Sequence, residues 1–303
     1  MFRRGLLLAA LFLPFAGAAA QEVSDKAAIL RGEYVSHAAG CYGCHTDVKG
    51  KGAPLAGGRR LKTPFGDFVG PNITPDPTHG IGGWTLADFA RALREGVSPA
   101  GDPYYPAFPY TSFSRMNEAD IADLWAWLQT VKPNDTANGA HDLNFPYGWR
   151  WLTGVWRSLY FAPGEFEAGD PPAAVGEADR ESWARGAYLV RVLGHCGECH
   201  TPRGGLGAMD PALFLAGNAA GAEGAPVPNI TPDRATGLGG WTMAEIEDYL
   251  EIGMDPDGDF AGGAMAEVIE RATGKLTPED RRAVAVFLMF VPAVERKIAR
   301  PPG

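Results

Sequence analysis

Apolar residues recur at helical spacing toward the end of each half of the chain. Ile121, Leu124, Trp125 and Leu128 do so in the first half, and Val284, Phe287, Leu288 and Val291 in the second. This spacing puts one stripe of a helix against a core. The second run is introduced by Thr277 and Pro278, which suit an N-cap and the first helical position. Two further helix starts read as capping boxes, Thr85 with Asp88 and Thr242 with Glu245. No long alternating stretch reads as a sheet. The pattern predicts an all-α fold, with about three to five helices in each half.

Between the halves the pattern changes. Phe145 to Leu152, then Val155, Trp156, Leu159, Tyr160 and Phe161, are rich in large apolar rings. Such a run is costly to leave in water, and it is expected to pack as a strut joining the two halves. The competing reading is a docking surface for a partner subunit, where aromatic residues are enriched. Residues 163–180, with prolines, glycines and acids, read as a flexible link.

The halves repeat each other. Arg31-Gly32-Glu33-Tyr34-Val35 is echoed by Arg185-Gly186-Ala187-Tyr188-Leu189. Pro71-Asn72-Ile73-Thr74-Pro75-Asp76 is matched by Pro228-Asn229-Ile230-Thr231-Pro232-Asp233, and Gly-Gly-Trp-Thr follows each, at 82–85 and 239–242. The expected organisation is a signal peptide over 1–20, a first domain over 21–133, a connector over 134–180 and a second domain over 181–296.

The signal rests on Arg3 and Arg4, the short apolar run from Leu6 to Phe15, and Ala18-Ala19-Ala20 before Gln21. The alternative, a retained anchor, would need a longer run, since a spanning helix takes roughly 20 apolar residues. No later segment is long and apolar enough to span a bilayer. Removing the signal takes away two arginines and no acid, moving the formal charge from −9 to −11. An acidic chain argues against nucleic acid and permits a basic or dipolar protein partner. Forty glycines and 25 prolines predict many loops. Two small loop-rich domains need a staple, which a buried cofactor supplies.

The four cysteines supply a candidate. Cys41-Tyr42-Gly43-Cys44-His45 and Cys196-Gly197-Glu198-Cys199-His200 both read C-x-x-C-H, the pattern of haem c attachment. Residues i and i+3 share a helix face, so Cys41 with Cys44, and Cys196 with Cys199, can each form two thioether bonds to one porphyrin. His45 and His200 are then carried beneath the iron, and their rings need an acceptor to fix them. In the second half a backbone carbonyl near Thr201-Pro202 is expected to serve. Three competing readings are a redox disulfide, a zinc shared by the two pairs, and a structural disulfide framework. Against them stand the lack of a βαβ setting, the 155 residues between Cys41 and Cys196, and a histidine attached to each pair. The cofactor expected is therefore two covalently bound haem c groups.

The opposite axial ligand of an electron-transfer haem is usually Met or His. In the second half Met265, in the Gly-rich stretch Gly262-Gly263-Ala264-Met265, is favoured, with Met254 as alternative. Met243 and Met289 read as core residues. The equivalent first-half stretch is Tyr105-Pro106-Ala107-Phe108-Pro109-Tyr110, with Phe where Met might be expected. Met116 is the one thioether left in that half after the signal and is taken as ligand. His79, His141 and an open iron are the fallbacks. Trp84 and Trp241 have either a haem edge or the core as neighbour. Arg59, Arg60 and Arg203 have either haem propionates or solvent.

These features together resemble the multihaem cytochrome c subunits of bacterial membrane-associated alcohol and sugar dehydrogenases, and their dihaem relatives more closely. The resemblance covers nearly the whole mature chain. It implies tandem cytochrome c domains, proximal ligands His45 and His200, and a distal Met265. Two departures are the lack of a third C-x-x-C-H domain and Phe108 where many relatives carry Met. The function implied is a periplasmic dihaem carrier taking single electrons from a dehydrogenase and passing them to quinone, an oxidase or another cytochrome in a respiratory chain. Attachment to the inner membrane through a partner is left open. The chain reads as an electron-transfer protein or subunit more than as a catalyst. The alternative is a peroxidase-like dihaem enzyme with an open first haem.

Overall fold

The structure, a computed structural model, describes residues 15–221 and 224–298. Most of the signal expected over 1–20 lies outside these residues. A long helix, α1 (Phe15–Ala38), leads into the short turn α2 (Cys41–His45). Then come β1 (Arg60–Thr63), β2 (Gly66–Val69), α3 (Leu86–Glu95), α4 (Tyr110–Phe113) and α5 (Glu118–Leu128). The middle of the chain holds β3 (Asp142–Leu143) and α6 (Trp151–Tyr160). The second half holds α7 (Arg180–Tyr188), α8 (Gly197–His200), α9 (Met243–Ile252), α10 (Gly263–Arg271) and α11 (Pro278–Phe290). Among the described residues no helix is long and apolar enough to cross a membrane.

The capping signals are realised as written. Thr85 accepts from the Asp88 amide and Thr242 from the Glu245 amide, and each acid bonds back to its cap. Thr277 caps α11, with Pro278 in the first turn.

The all-α expectation needs correcting, because a small antiparallel sheet is present. It pairs β1 with β2 (Leu61 with Phe68) and β2 with β3 (Asp67 with Asp142). Strands of four, four and two residues are too short for a period of two to stand out. The pairing of β2 with β3 depends on segments more than 70 residues apart. The stretch expected to begin a separate connector therefore lies along the first half. Asn72 Nδ2 donates to the carbonyls of Asn134 (2.8 Å) and Thr136 (3.0 Å), and His141 Nδ1 accepts from the Val69 amide (3.0 Å). Residues 163–180, expected to be a flexible link, are pinned at two places. Phe166 packs against the Tyr188 ring at 5.1 Å, and Val175 is buried.

In each half the first long helix crosses the last one at a glycine. A Cβ on Gly32 of α1 would sit 1.9 Å from the Asp123 carbonyl oxygen of α5. A Cβ on Gly186 of α7 would sit 1.9 Å from the Ala283 carbonyl oxygen of α11. The helices approach as closely as they do because neither position carries a side chain. One hydrophobic core then runs through both halves, from Val35, Leu124 and Leu128 to Trp183, Val286 and Phe287.

Across the seam two tyrosines make reciprocal contacts. The Tyr34 hydroxyl of α1 donates to Asp280 at the start of α11 (2.5 Å) and accepts from the Thr277 amide (3.2 Å). The Tyr188 hydroxyl of α7 donates to Asp120 at the start of α5 (2.6 Å) and accepts from the Asn117 amide (3.2 Å). Each half thus reaches into the cap of the other half's last helix. Asp280 also takes a forked pair of bonds from Arg185 (2.8 and 2.7 Å). Burial pushes the Asp280 carboxyl up, but the bonds from Arg185 and Tyr34 outweigh it and hold it below the usual range. Burial and the Asp280 bond push Tyr34 up to about 12.

Two expectations follow. Gly186→Ala should cost about 1–3 kcal/mol through overpacking. Gly154→Ala, in α6 with open space around its Cβ, should gain about 0.5–1 kcal/mol from helix propensity; thermal and denaturant unfolding of both variants checks the pair. Because its pKa is depressed on folding, Asp280 should stabilise the protein fully above the ordinary carboxylate range and lose that contribution as pH falls below it. The stability gap between wild type and Asp280→Asn should therefore narrow on acidification, as read by unfolding at a series of pH values.

Candidate haem attachment sites

Two short turns present the cysteines. In α2, Cys41 and Cys44 lie three residues apart after Gly40, which starts the turn at a left-handed φ of 62°. In α8, Cys196 stands at the N-cap, with Cys199 and His200 following. All four are free thiols; Cys199 is exposed and the other three are half-buried.

Immediately after each histidine the backbone extends, at Thr46 (φ −132°) and Thr201 (φ −115°). The threonine hydroxyls are buried and accept amides from further along the chain, Leu55 to Thr46 and Leu215 to Thr201, both at 3.0 Å. The histidine carbonyls accept from Gly57 (2.8 Å) and Gly217 (2.7 Å). Leu55 and Leu215 both adopt left-handed backbone, φ 60° and 64°. A non-glycine residue rarely takes that conformation, so its occurrence at the matching step of both loops marks a shared turn.

The returning loop delivers the acceptor for each imidazole. His45 Nδ1 bonds the Pro71 carbonyl at 2.7 Å, and His200 Nδ1 bonds the Pro228 carbonyl at 2.8 Å. The carbonyl can only accept, so the proton sits on Nδ1 and the lone pair of Nε2 is left for a metal. Burial, opposed by the proline bond, holds both histidines below their ordinary pKa, which keeps the rings neutral. The expected acceptor near Thr201-Pro202 is thus replaced by Pro228, 28 residues beyond His200. The extended Thr201 carries the local carbonyls away from the ring.

The proline turns are themselves clamped. Asn72 Oδ1 accepts from the amide and hydroxyl of Thr74 (2.9 and 2.8 Å), and Asn229 Oδ1 does the same with Thr231 (2.9 and 2.8 Å). The Asn229 amide reaches the Val294 carbonyl beyond α11 (2.7 Å), as Asn72 reaches Asn134 beyond α5. These partners explain the repeated Pro-Asn-Ile-Thr segments, whose role sequence reasoning missed although the repeat itself was visible.

Residues 29–132 match the cytochrome c family. Over 268 residues the chain is 48% identical to a diheme cytochrome c-type protein of Cereibacter sphaeroides, a match covering 88% of this chain and 86% of that one. This chain belongs to the cytochrome c family. It is also 41% identical to the cytochrome c subunit of a quinone alcohol dehydrogenase from Gluconobacter oxydans, over 92% of this chain and 58% of the relative. With the fructose dehydrogenase cytochrome subunit of Gluconobacter japonicus it shares 38% identity, over 89% of this chain and 54% of the relative. The cytochrome thus spans a little over half the length of these two dehydrogenase subunits.

The thiol environment fits haem attachment better than redox exchange. Burial pushes Cys41 and Cys196 up to about 12 and Cys44 to about 11. A redox C-x-x-C pair needs a lowered thiol pKa. Among the described residues no three His, Cys, Asp or Glu side chains gather as a metal set. Beside Cys196 an apolar cleft is lined by Ala38, Leu189, Leu250, Leu276 and Val284, with the Thr273 hydroxyl buried and unpartnered in it. Two thiols on one turn, a neutral imidazole with free Nε2 and an apolar wall suit a porphyrin.

The candidate distal residues fall in different settings. Met265 lies in the first turn of α10, half-buried, so the Gly-rich stretch begins a helix where a loop was expected. Matching bonds fix the register of the two halves: Tyr104 to Gly96 and Ala261 to Gly253, each 2.8 Å. Counting onward, Phe108 and Met265 occupy the same step. Met254 is exposed, whereas Met243 and Met289 pack against the core. Met116 is only 2% exposed and sits one residue before the α5 cap, the step that Leu276 fills before α11. His141 packs between the rings of Phe68 and Tyr105, and the His79 amide bonds Asp76. Trp84 and Trp241 pack against the core. Arg59 pairs with Glu267 through two 2.8 Å bonds, Arg60 lies 3.7 Å from Asp67, and Arg203 pairs with Glu198.

Asn229→Ala should destabilise the cytochrome by about 1–3 kcal/mol, because the Thr231 amide and hydroxyl lose a buried partner. Thermal unfolding of this variant beside Asn72→Ala tests whether both proline turns carry the same load.

Proposed function

We propose that the chain is a dihaem electron carrier, two tandem cytochrome c units over 21–133 and 181–296, that takes single electrons from a dehydrogenase and passes them to a respiratory acceptor. The repeated bond from a histidine Nδ1 to a proline carbonyl carries this reading, since it prepares two Nε2 atoms beside two thiol pairs. The names of the relatives, cytochrome subunits of alcohol and fructose dehydrogenases, support a dehydrogenase as donor. Quinone, an oxidase or a second cytochrome suits the role of acceptor. The leader-like residues 1–20 support a periplasmic location.

Haem iron supplies reversible one-electron chemistry when bound. Cys41, Cys44, Cys196 and Cys199 would hold the two groups by thioether bonds, and His45 and His200 would be the proximal ligands. Met265 is the distal candidate of the second site and Met116 that of the first. Leu250 and Val284, which line the cleft beside Cys196, would keep water from a bound haem and so would raise the cost of charge there.

One observation favours a second reading. Phe108, in register with Met265, offers no ligand atom, and Met116 shares its step with Leu276. A first haem with an exchangeable position would suit a peroxidase-like enzyme.

The purified mature protein should exceed its processed polypeptide mass by two haem groups; one or none would sink the carrier reading. Met265→Ala and Met116→Ala should each remove part of the near-infrared Met-to-iron band. An unchanged band in Met116→Ala, together with rapid carbon monoxide binding by the reduced wild type, would favour the enzyme.

A further inference from the structure

The two halves keep a constant offset up to the cysteines and then change it. Arg31, Gly32 and Tyr34 match Arg185, Gly186 and Tyr188 at 154 residues, whereas Cys41 matches Cys196 at 155. The second half therefore carries one extra residue just ahead of its thiols. The chain accommodates it over Leu189–Leu193, where the helix widens into a π-turn. The Gly194 amide bonds the Leu189 carbonyl, five residues back (2.7 Å). In the first half the Ala39 amide bonds the Val35 carbonyl, four residues back (2.8 Å). Such widened turns occur often at functional sites.

The residue before the first cysteine is left-handed in both halves, Gly40 at φ 62° and His195 at φ 36°. Glycine takes that conformation freely, and nothing lies within 4 Å of where a Cβ on Gly40 would be. Histidine takes it at a cost, which persists only where the surroundings hold the residue in place. Here the ring is held by the first half of the chain. His195 Nε2 meets the Ala39 carbonyl at 3.3 Å. A carbonyl only accepts, so Nε2 carries the proton. The Phe113 ring of α4 stands edge-on to the imidazole at 5.3 Å.

Further contacts draw the two cysteine turns together. Glu198, between Cys196 and Cys199, accepts from the Thr111 hydroxyl of α4 (3.1 Å). Ala38 lines the cleft beside Cys196. A Cβ on Gly194 would stand 3.5 Å from Cys196 Sγ and 3.8 Å from the Ala38 carbonyl oxygen. On the other side α10 packs against α2, and its Glu267 pairs with Arg59. After burial, the charge of Cys199 is the next influence that raises the Cys44 thiol. A group held by thioether bonds keeps the spacing of the turn that carries it. From Cys196 the connection to Cys41 runs through the His195 ring, one hydrogen bond, the Ala39 carbonyl and Gly40. The interaction of charges at two sites depends on their separation, and electron exchange between them falls steeply as they part. We propose that His195 is a positioning residue that locks the second cysteine turn to the backbone just ahead of the first and so sets the coupling between the two haem sites. The inference rests on the carrier reading above and adds the residue that fixes the spacing of its two sites.

The test compares His195→Gly and His195→Asn in the full haem-loaded chain. Glycine keeps the left-handed backbone and removes the ring. Asparagine tolerates the same backbone and keeps an N–H donor. Electron paramagnetic resonance reads the magnetic coupling between the two ferric haems. Pulse radiolysis reads the rate at which one injected electron equilibrates between a reduced and an oxidised haem. The glycine variant should retain two haems, lose most of the magnetic coupling and equilibrate about tenfold more slowly. The asparagine variant should stay within about threefold of wild type. A glycine variant with both readouts unchanged, even at lower thermal stability, would reduce His195 to a structural residue and overturn the proposal. So would an asparagine variant as impaired as the glycine one. Loss of a haem in either variant would overturn it too, because the residue would then serve attachment. Haem content of the wild type separates the failures: two haems with these negative results sink this inference alone, and fewer than two sink the carrier reading beneath it.

Discussion

The bond between a histidine Nδ1 and a proline carbonyl is the constraint around which each half is arranged. For His45 to reach Pro71, the chain must leave the attachment turn in extended form, turn at left-handed Leu55 and come back. The Thr46 hydroxyl pins that path, and Asn72 fixes the proline turn to the segment beyond α5. The second half repeats the sequence of events through Thr201, Leu215, Asn229 and Val294. A single hydrogen bond contributes only about 1 kcal/mol. Its importance lies in direction: it sets the tautomer, aims the ring, and makes the aim depend on the end of the last helix.

Packing gives this arrangement a rigid base. The crossings at Gly32 and Gly186 bring backbone against backbone, so the long first helix of each half cannot slide along the last. The core continues through the seam, and the cysteine-bearing turns α2 and α8 follow α1 and α7 along the chain. The direction of each imidazole is thereby fixed by packing as well as by its proline bond.

Much of this was legible where the determining contacts are local. The cysteine spacing, the capping boxes at Thr85 and Thr242 and the stripes of α5 and α11 all depend on residues three or four apart. Contacts between distant residues were not legible. Nothing near His200 points to Pro228 as its partner, and a four-residue strand such as β2 has no periodicity to detect. Gly262 and Gly263 before Met265 read as a loop in the sequence, whereas Gly263 opens α10 with a left-handed φ of 58°. The α6 stripe was visible as apolar, but which way it faces is decided by the neighbours that Trp156 and Thr153 find. Phe108 could be aligned with Met265 from the repeat alone, whereas the depth of Met116 required the packed core.

The reciprocal tyrosine contacts bear on how a chain with two matching halves can change. Each half completes a helix cap belonging to the other, so the two halves depend on each other. Positions away from the seam differ between the halves, as the Phe108 and Met265 pair illustrates. A change at Asp280, by contrast, strands a hydroxyl from one copy and a guanidinium from the other. Exchange of a single half between homologues is therefore constrained by inheritance of the seam as a set.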